Sequence, residues 1–271
     1  MGYPKSLAIG GTFPFGWSAS TVAFGESMVH RSYTGRISSC QLEGRWVSVY
    51  VIPIDKKRTF LKKPDGFLSG RKANMCGRYQ IAMEEDIIEI REILDEINER
   101  YKNKPDLSAM KTGEVFPTDT APVLVSGNGR PQAELMRWGL TKWDNKGVII
   151  NARSETALEK KSFRTSLLNR RCVVPTTGFF EWQKRKSGKT KYLFRLPETK
   201  MLYLAGFYDI TPTHKEYAIM TTAANPFISS YHDRMPLIHT PDVLWQWLTD
   251  RDFALEFIQH PCLMPLVASA V

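Results

Sequence analysis

The sequence predicts an α+β protein with a mostly antiparallel sheet, and two observations lead to this class. An amphipathic helix is indicated where Ile87, Ile90, Leu94, Ile97 and Tyr101 recur at three- and four-residue steps. After residue 105 the chain turns to short apolar strands separated by polar turns. Helices and strands do not alternate regularly, which disfavours a doubly wound parallel sheet.

Each predicted element has a local signal. Glu84, Glu85 and Asp86 would place negative charge in the first turn of the first helix, where it suits the helix dipole. Thr240 followed by Pro241 is typical of an N-cap and a first helical residue, and predicts a helix over 243–248. Another helix is predicted over 155–168, and strands are predicted over 121–126, 171–175, 191–196, 202–208 and 217–222.

Residues 1–74 lack sustained periodicity and are interrupted by Gly, Pro and Ser. One strand is predicted over 46–54, without an obvious hairpin partner. We expect this N-terminal extension to be disordered or to reflect a mis-assigned start, with true initiation at Met75 and one domain over 75–271. A loose resemblance to an organelle transit peptide is a further alternative.

Composition limits the class of protein. The chain of 271 residues has a net charge of +9, but residues 1–74 hold 11 basic and 4 acidic residues, which leaves 26 basic and 24 acidic in 75–271. The basic character therefore belongs mostly to the extension. No apolar run approaches the about 18 residues that a membrane span needs, which predicts a soluble protein. The four cysteines form no C-x-x-C pair, which predicts no zinc site and favours a reducing, cytoplasmic compartment.

Cys76 is the most informative residue because it directly follows Met75. If Met75 were the initiator and were removed, Cys76 would carry an α-amine and a thiol on adjacent carbons. Such a pair condenses with an aldehyde, first to a Schiff base and then to a thiazolidine ring. Inside a chain the amine is an amide, and this chemistry is not available.

Five short motifs with polar, aromatic or glycine residues lie at the ends of predicted strands, and loops at such positions often contain functional residues. In chain order they are Met75-Cys76-Gly77-Arg78, Arg137-Trp138-Gly139-Leu140, Asn151-Ala152-Arg153-Ser154-Glu155-Thr156, Gly178-Phe179-Phe180-Glu181-Trp182 and His232-Asp233-Arg234-Met235-Pro236.

These five motifs, in this order, resemble the SOS response-associated peptidase (SRAP) family, whose members crosslink covalently to abasic sites in single-stranded DNA. The resemblance implies a single domain built on a distorted, mostly antiparallel β-barrel with flanking helices, no cofactor, and a monomer acting in the cytoplasm, on the nucleoid if the source is bacterial. It implies the following roles: Cys76 as nucleophile, Asn151 orienting it or the sugar, Glu181 beside the reacting centre, His232 in acid–base steps, Arg78 and Arg153 on phosphates, and Trp143, Arg234 and Pro122 in the DNA groove.

Simpler interpretations of these residues remain open at this point. Cys76 could be a small buried apolar residue, Glu181 an exposed strand position, Asn151 a turn residue, and Arg153 a partner of Glu155. Trp138 and Trp182 are expected to pack rather than to stack on bases. Two other functions also remain open: a thiol autopeptidase that removes its own N-terminal segment through Cys76, His232 and Glu181, and a non-catalytic single-stranded DNA-binding module.

Overall fold

The computed structural model describes residues 37–42, 45–50, 76–82, 87–185, 188–197, 199–261 and 264–271. The chain divides into two units, Met1–Lys72 and Ala73–Val271. In the first unit, β1 (Ile37–Leu42) pairs antiparallel with β2 (Arg45–Tyr50). The strand predicted over 46–54 therefore begins one residue earlier and does have a hairpin partner.

The second unit contains the remaining elements. Its strands are β3 (Tyr79–Ile81), β4 (Gly113–Val115), β5 (Thr120–Gly127), β6 (Arg130–Trp138), β7 (Leu140–Thr141), β8 (Val148–Ile149), β9 (Asn151–Arg153), β10 (Arg171–Thr176), β11 (Gly178–Arg185), β12 (Gly188–Arg195), β13 (Leu202–Ile210), β14 (Lys215–Ala223), β15 (Arg234–Pro236), β16 (Ile238–His239) and β17 (Val267–Ala270). Its helices are α1 (Ile88–Arg100), α2 (Pro105–Ser108), α3 (Ser154–Ala157), α4 (Lys161–Asn169), α5 (Leu244–Thr249) and α6 (Arg251–Gln259), with 3₁₀ turns at Ile228–Ser230 and Pro241–Val243.

A closed ring of strands organises the second unit. The pairings run β5–β6, β6–β14, β14–β13, β13–β10 and β10–β5, and all are antiparallel except β6–β14. The ring is distorted, since β10 meets β5 at the single pair Val173 and Leu124. The prediction of an α+β fold with a distorted, mostly antiparallel barrel is confirmed.

A second, antiparallel sheet carries the segment that begins at Cys76. Its order is β17-β12-β11-β3-β4. The two sheets meet at a buried aromatic cluster: the Tyr79 ring lies 5.1 Å from Trp138, and the Tyr79 and Tyr217 hydroxyls lie 2.5 Å apart. The expectation that Trp138 packs in the core is confirmed, because this side chain is fully buried.

The single helix predicted over 155–168 is wrong, because the chain forms two helices, α3 and α4, broken between residues 158 and 160. Burial explains the break. Ala157 and Phe163 are buried, and a continuous helix would turn Lys160 or Lys161 toward the same face. The break leaves both lysines exposed.

The start of the helix predicted over 243–248 differs in detail. Pro241 begins a 3₁₀ turn ahead of α5, and the Thr240 side chain makes no capping hydrogen bond. The acids Glu84, Glu85 and Asp86 lie outside the described residues. Within the described part of the chain, no helix is both long and apolar enough to span a membrane.

Candidate active site

Cys76 lies just before β3, where the chain enters the five-stranded sheet. Its φ angle is 44°, which is uncommon for a residue with a side chain. From Arg78 onward the segment joins β11, since the Phe180 N–H donates to the Arg78 carbonyl at 2.9 Å and Tyr79 faces Phe179. This pairing brings the backbone nitrogen of Cys76 to Glu181, whose Oε1 accepts a short hydrogen bond from the Cys76 N–H.

Glu181 is a buried carboxyl group, with 3% of the residue exposed. Burial raises its pKa to about 7, and the charge of Asp233 adds to the rise, while N–H donors from Cys76 and Trp182 oppose it. The simpler interpretation of Glu181 as an exposed strand position is therefore wrong. A carboxyl group with this pKa exchanges a proton readily at neutral pH.

The Cys76 thiol is buried, and burial, followed by the Glu181 charge, raises its pKa well above the ordinary value. In the chain as it stands this thiol is therefore protonated at neutral pH. Any reaction at Cys76 would therefore start from its nitrogen, with Glu181 as the neighbouring proton acceptor, rather than from a preformed thiolate.

His232 follows the 3₁₀ turn at Ile228–Ser230. The Gln183 side chain on β11 donates to the Ser230 carbonyl at 2.9 Å and holds this loop against the strand that carries Glu181. His232 Nδ1 accepts from the Arg234 N–H at 3.1 Å, which leaves the proton of the neutral ring on Nε2. Burial lowers the pKa of His232, although Asp233 Oδ1 lies 3.0 Å from Nδ1 and acts in the opposite direction.

Asn151 and Arg153 lie on β9, which runs parallel to β14. Asn151 faces Ile219 and is half-buried, whereas Arg153 faces Thr221 and is exposed. The Trp138 indole donates to the Ile150 carbonyl at 3.1 Å, so the buried aromatic cluster also positions the start of β9.

Arg234 is held by Glu155 through two parallel hydrogen bonds. Nη1 donates to Oε1 at 2.5 Å and Nη2 to Oε2 at 2.7 Å, and Nη2 also reaches the Thr221 carbonyl at 2.8 Å. These bonds lower the pKa of the Glu155 carboxyl below its ordinary value. Glu155 thus binds Arg234 directly, and the charge of Arg153, its partner in the simpler interpretation, lowers the same pKa to a smaller extent.

The remaining predicted residues lie in different environments. The Nε of Arg78 lies 3.2 Å from Glu114, and its guanidinium stacks on the Phe116 ring. Trp143, in the β7–β8 turn, is 96% exposed. Pro122 is buried in the middle of β5, opposite Leu135, so its side chain is not available at the surface.

Comparison with known proteins establishes the family. The sequence profile described as SOS response associated peptidase (SRAP) matches residues 75–268. The chain belongs to the SRAP family.

Named relatives agree with this assignment, and a solved structure shares the fold. The abasic site processing protein YoaM of Bacillus subtilis is 32% identical over 198 residues, covering 68% of this SRAP chain and 84% of the relative. YoqW of the same organism, also named an abasic site processing protein, is 32% identical over 198 residues, covering 68% of this chain and 85% of its own. A crystal structure from Bacteroides thetaiotaomicron shares the fold, with a TM-score of 0.59, 23% identity, and coverage of 72% of this chain and 92% of that one.

Sequence reasoning on this SRAP chain missed four residues that surround the predicted ones: Asp233, Glu114, Phe116 and Lys191. Asp233 stood in a quoted motif, but its influence on Glu181 depends on how the loop folds back. Strand alternation could have placed Lys191 beside Trp182, because the two face each other across the β11–β12 hairpin. Among the described residues, no group of three or more His, Cys, Asp or Glu side chains is arranged to hold a metal ion.

Proposed function

We propose that this protein acts on abasic sites in DNA and captures them in single strands as a thiazolidine crosslink through Cys76, once Cys76 is N-terminal. The observation that carries the proposal is the hydrogen bond from the Cys76 nitrogen to Glu181. In the mature protein that nitrogen would be the α-amine, already beside the Glu181 carboxyl group, whose pKa burial raises to about 7 in the full-length chain. The relatives named abasic site processing proteins support the same substrate.

The proposed reaction starts at the aldehyde of the ring-opened abasic sugar. The neutral amine adds to the aldehyde carbon, and the resulting carbinolamine loses one water to give an imine. The Cys76 sulfur then adds to the same carbon while its proton passes to the nitrogen, closing a five-membered ring. Aldehyde, amine and thiol thus give thiazolidine and one water, with no oxidant or reductant.

Glu181 is suited to move the protons in this sequence. As a carboxylate it takes a proton from the ammonium, whose ordinary pKa is about 7.7–8. As a carboxylic acid it returns a proton to the departing hydroxyl, and as the ring closes it accepts the thiol proton and passes it to the nitrogen. The neutral His232, with its proton on Nε2, is suited to assist sugar ring opening as a proton donor.

The substrate would be held through its backbone and by a projecting ring. Arg153 is exposed and suited to contact a phosphate. Asn151 would orient the sugar or the amine from β9. The exposed Trp143 would stack on a base next to the abasic site. Arg234, already bound by Glu155, would act as a fixed positive charge near this groove rather than as a mobile contact.

The buried, protonated thiol does not favour the autopeptidase alternative. A cysteine peptidase attacks with its thiolate, and burial raises the pKa of Cys76 well above its ordinary value. In the proposed condensation the amine acts first, and the thiol loses its proton only during ring closure. We therefore prefer condensation to peptide cleavage.

The proposal is tested by combining intact mass with crosslinking. The intact masses of the purified full-length protein and of a version initiated at Met75 are measured by mass spectrometry. Both proteins are then incubated with single-stranded DNA carrying one abasic site. We expect a denaturation-stable adduct, one water lighter than the sum of its parts, only where the N-terminus is Cys76. A Cys76→Ser variant with the same N-terminus should bind DNA but form no stable adduct.

Two results would contradict the proposal. Uncleaved full-length protein that crosslinks as well as the Cys76-initiated protein would rule out the thiazolidine. Equal adduct yield from Cys76→Ser would rule out the thiol. A Cys76-dependent release of the N-terminal segment by purified protein would instead support autoproteolysis.

A further inference from the structure

Two cations share one carboxylate on the five-stranded sheet, on the face opposite Glu181. Arg78 Nε lies 3.2 Å from Glu114 Oε1, and Lys191 Nζ lies 2.6 Å from Glu114 Oε2. All three side chains are between a quarter and a third exposed. The trio carries a net positive charge, because one carboxylate faces two cations.

Aromatic rings lie beneath both cations. The Arg78 guanidinium lies 3.6 Å from the centroid of the Phe116 ring, and Lys191 Nζ lies 4.1 Å from that of Phe180. Trp182 lies between them, 6.0 Å from Arg78 and 5.8 Å from Lys191. Phe116 is 42% exposed, so part of its ring faces solvent. We call Arg78, Glu114, Phe116, Trp182 and Lys191 the cation–aromatic platform.

Strand register explains why these side chains meet and why the platform is separate from the reacting groups. Trp182 faces Lys191, and Gln80 faces Glu114, so these residues share one face of the sheet. Glu181 neighbours Trp182 on β11 and therefore points to the opposite face. Arg78 is two residues from Cys76, so the platform lies next to the proposed nucleophile along the chain.

We propose that the cation–aromatic platform binds one nucleotide of the single-stranded DNA next to the captured abasic site, an inference that rests on the proposed function. The phosphate takes the place of the Glu114 carboxylate between Arg78 and Lys191, and the base stacks on Phe116. A partly exposed ion pair is weak and exchanges easily. Phosphate fits the same two donors, and stacking with flanking cations is how proteins hold single strands without reading sequence.

The test uses the full-length chain and a fluorescein-labelled oligothymidylate without any abasic site, measured by anisotropy over a salt series. Lys191→Ala should weaken binding and reduce the slope of log affinity against log salt by about 0.7, the value for one phosphate contact on a single strand. Lys191→Arg should retain both. Phe116→Leu, which keeps an apolar side chain, should weaken binding about tenfold through lost stacking. Lys102→Ala is the matched control, since Lys102 is an exposed lysine away from the platform.

Glu114→Gln provides a test of opposite sign. Removal of the competing carboxylate should tighten binding and steepen the salt dependence. Unchanged or weaker binding by this variant, or equal affinities for Lys191→Ala, Phe116→Leu and Lys102→Ala at matched melting temperatures, would overturn the proposal. Because undamaged DNA has no aldehyde, these measurements stand apart from crosslinking. Loss of crosslinking chemistry with intact platform effects would refute the proposed function alone.

Discussion

At Cys76 the backbone nitrogen, rather than the thiol, makes the contact that links the residue to Glu181. Burial has opposite consequences for the reactivity of the Cys76 thiol and of the Glu181 carboxyl group. It makes the thiol a poorer nucleophile by raising its pKa, and it makes Glu181 a better proton carrier by bringing its pKa to about 7. The same low-dielectric surroundings therefore favour chemistry that begins at nitrogen and uses Glu181 as the proton relay.

Glu181 predicts a pH dependence of stability with a definite sign. Its pKa is about 7 in the folded chain against an ordinary value of 4.5, so between these pH values the folded state holds a proton that the unfolded state has lost. The stabilisation is full below pH 4.5 and is lost as pH rises through 7, by about 3 kcal/mol in total. Denaturant unfolding of the wild type and Glu181→Gln at several pH values measures it.

Glu181→Gln should lack this component, so the free-energy difference between the two proteins should change by about 3 kcal/mol across the window. His232, whose pKa is lowered, contributes in the opposite direction in both proteins and cancels in the difference. Parallel pH profiles of stability for the two proteins would show that the pKa of Glu181 is not raised in the folded state. In the Cys76-initiated protein, crosslinking should accelerate as rising pH deprotonates the α-amine, and Glu181→Gln should slow crosslinking throughout this range because the proton relay is lost.

The turns between strands set the geometry of the elements around the site. Gly139, in the motif that also holds Arg137 and Trp138, has a φ of 115°, and its N–H donates to the Tyr217 carbonyl at 2.8 Å. A Cβ added there would lie 2.8 Å from side-chain carbons of Val148. The lack of a side chain at Gly139 therefore allows the turn from β6 into β7 to pack closely against Val148 at the start of β8. The β7–β8 hairpin carries Trp143 in its turn.

Gly139→Ala should lower the free energy of unfolding by about 2–4 kcal/mol, from the disfavoured φ angle and the clash together. Gly129→Ala is the matched control, because Gly129 has a φ of 77° but nothing within 4 Å of the added Cβ. The control should cost about 1 kcal/mol, which isolates the backbone contribution. Chemical denaturation of both variants measures the difference, and equal losses would show that Val148 yields without cost.

Across the whole chain, the distribution of charge limits how DNA is bound. Residues 75–271 contain only two more basic than acidic residues, so few phosphate contacts are expected from this part of the molecule. Several of its arginines are already paired with acids, as Arg234 is with Glu155 and Arg137 with Glu216. Selection of a damaged strand would then depend on the aldehyde more than on electrostatic affinity.

This view predicts a shallow salt dependence of crosslinking by the Cys76-initiated protein. Arg153→Ala should reduce the slope of log rate against log salt by about 0.7, as expected for one lost phosphate contact. Arg91→Ala, which removes an exposed arginine on α1, should leave the slope unchanged. A slope that does not change with Arg153→Ala would remove this residue from the proposed DNA contacts.

Local patterns were sufficient for much of the fold and for the family. Periodicity identified α1 and most central strands, and five short motifs indicated the family before any contact was known. These signals are local, since each depends on residue types within a few positions of one another. Local signals failed where burial decides between alternatives, as at the break between α3 and α4.

The contacts that give the residues their chemistry depend on folding over long distances. Cys76 and Glu181 are 105 positions apart and meet only because β3 pairs with β11. The partner of Arg234 and the platform around Glu114 likewise follow from sheet register, which brings distant strands together in one particular alignment. Amino-acid types thus determined which groups are present, whereas tertiary burial set the pKa of Glu181 and the availability of each charge, because desolvation and partner choice depend on the surrounding packing.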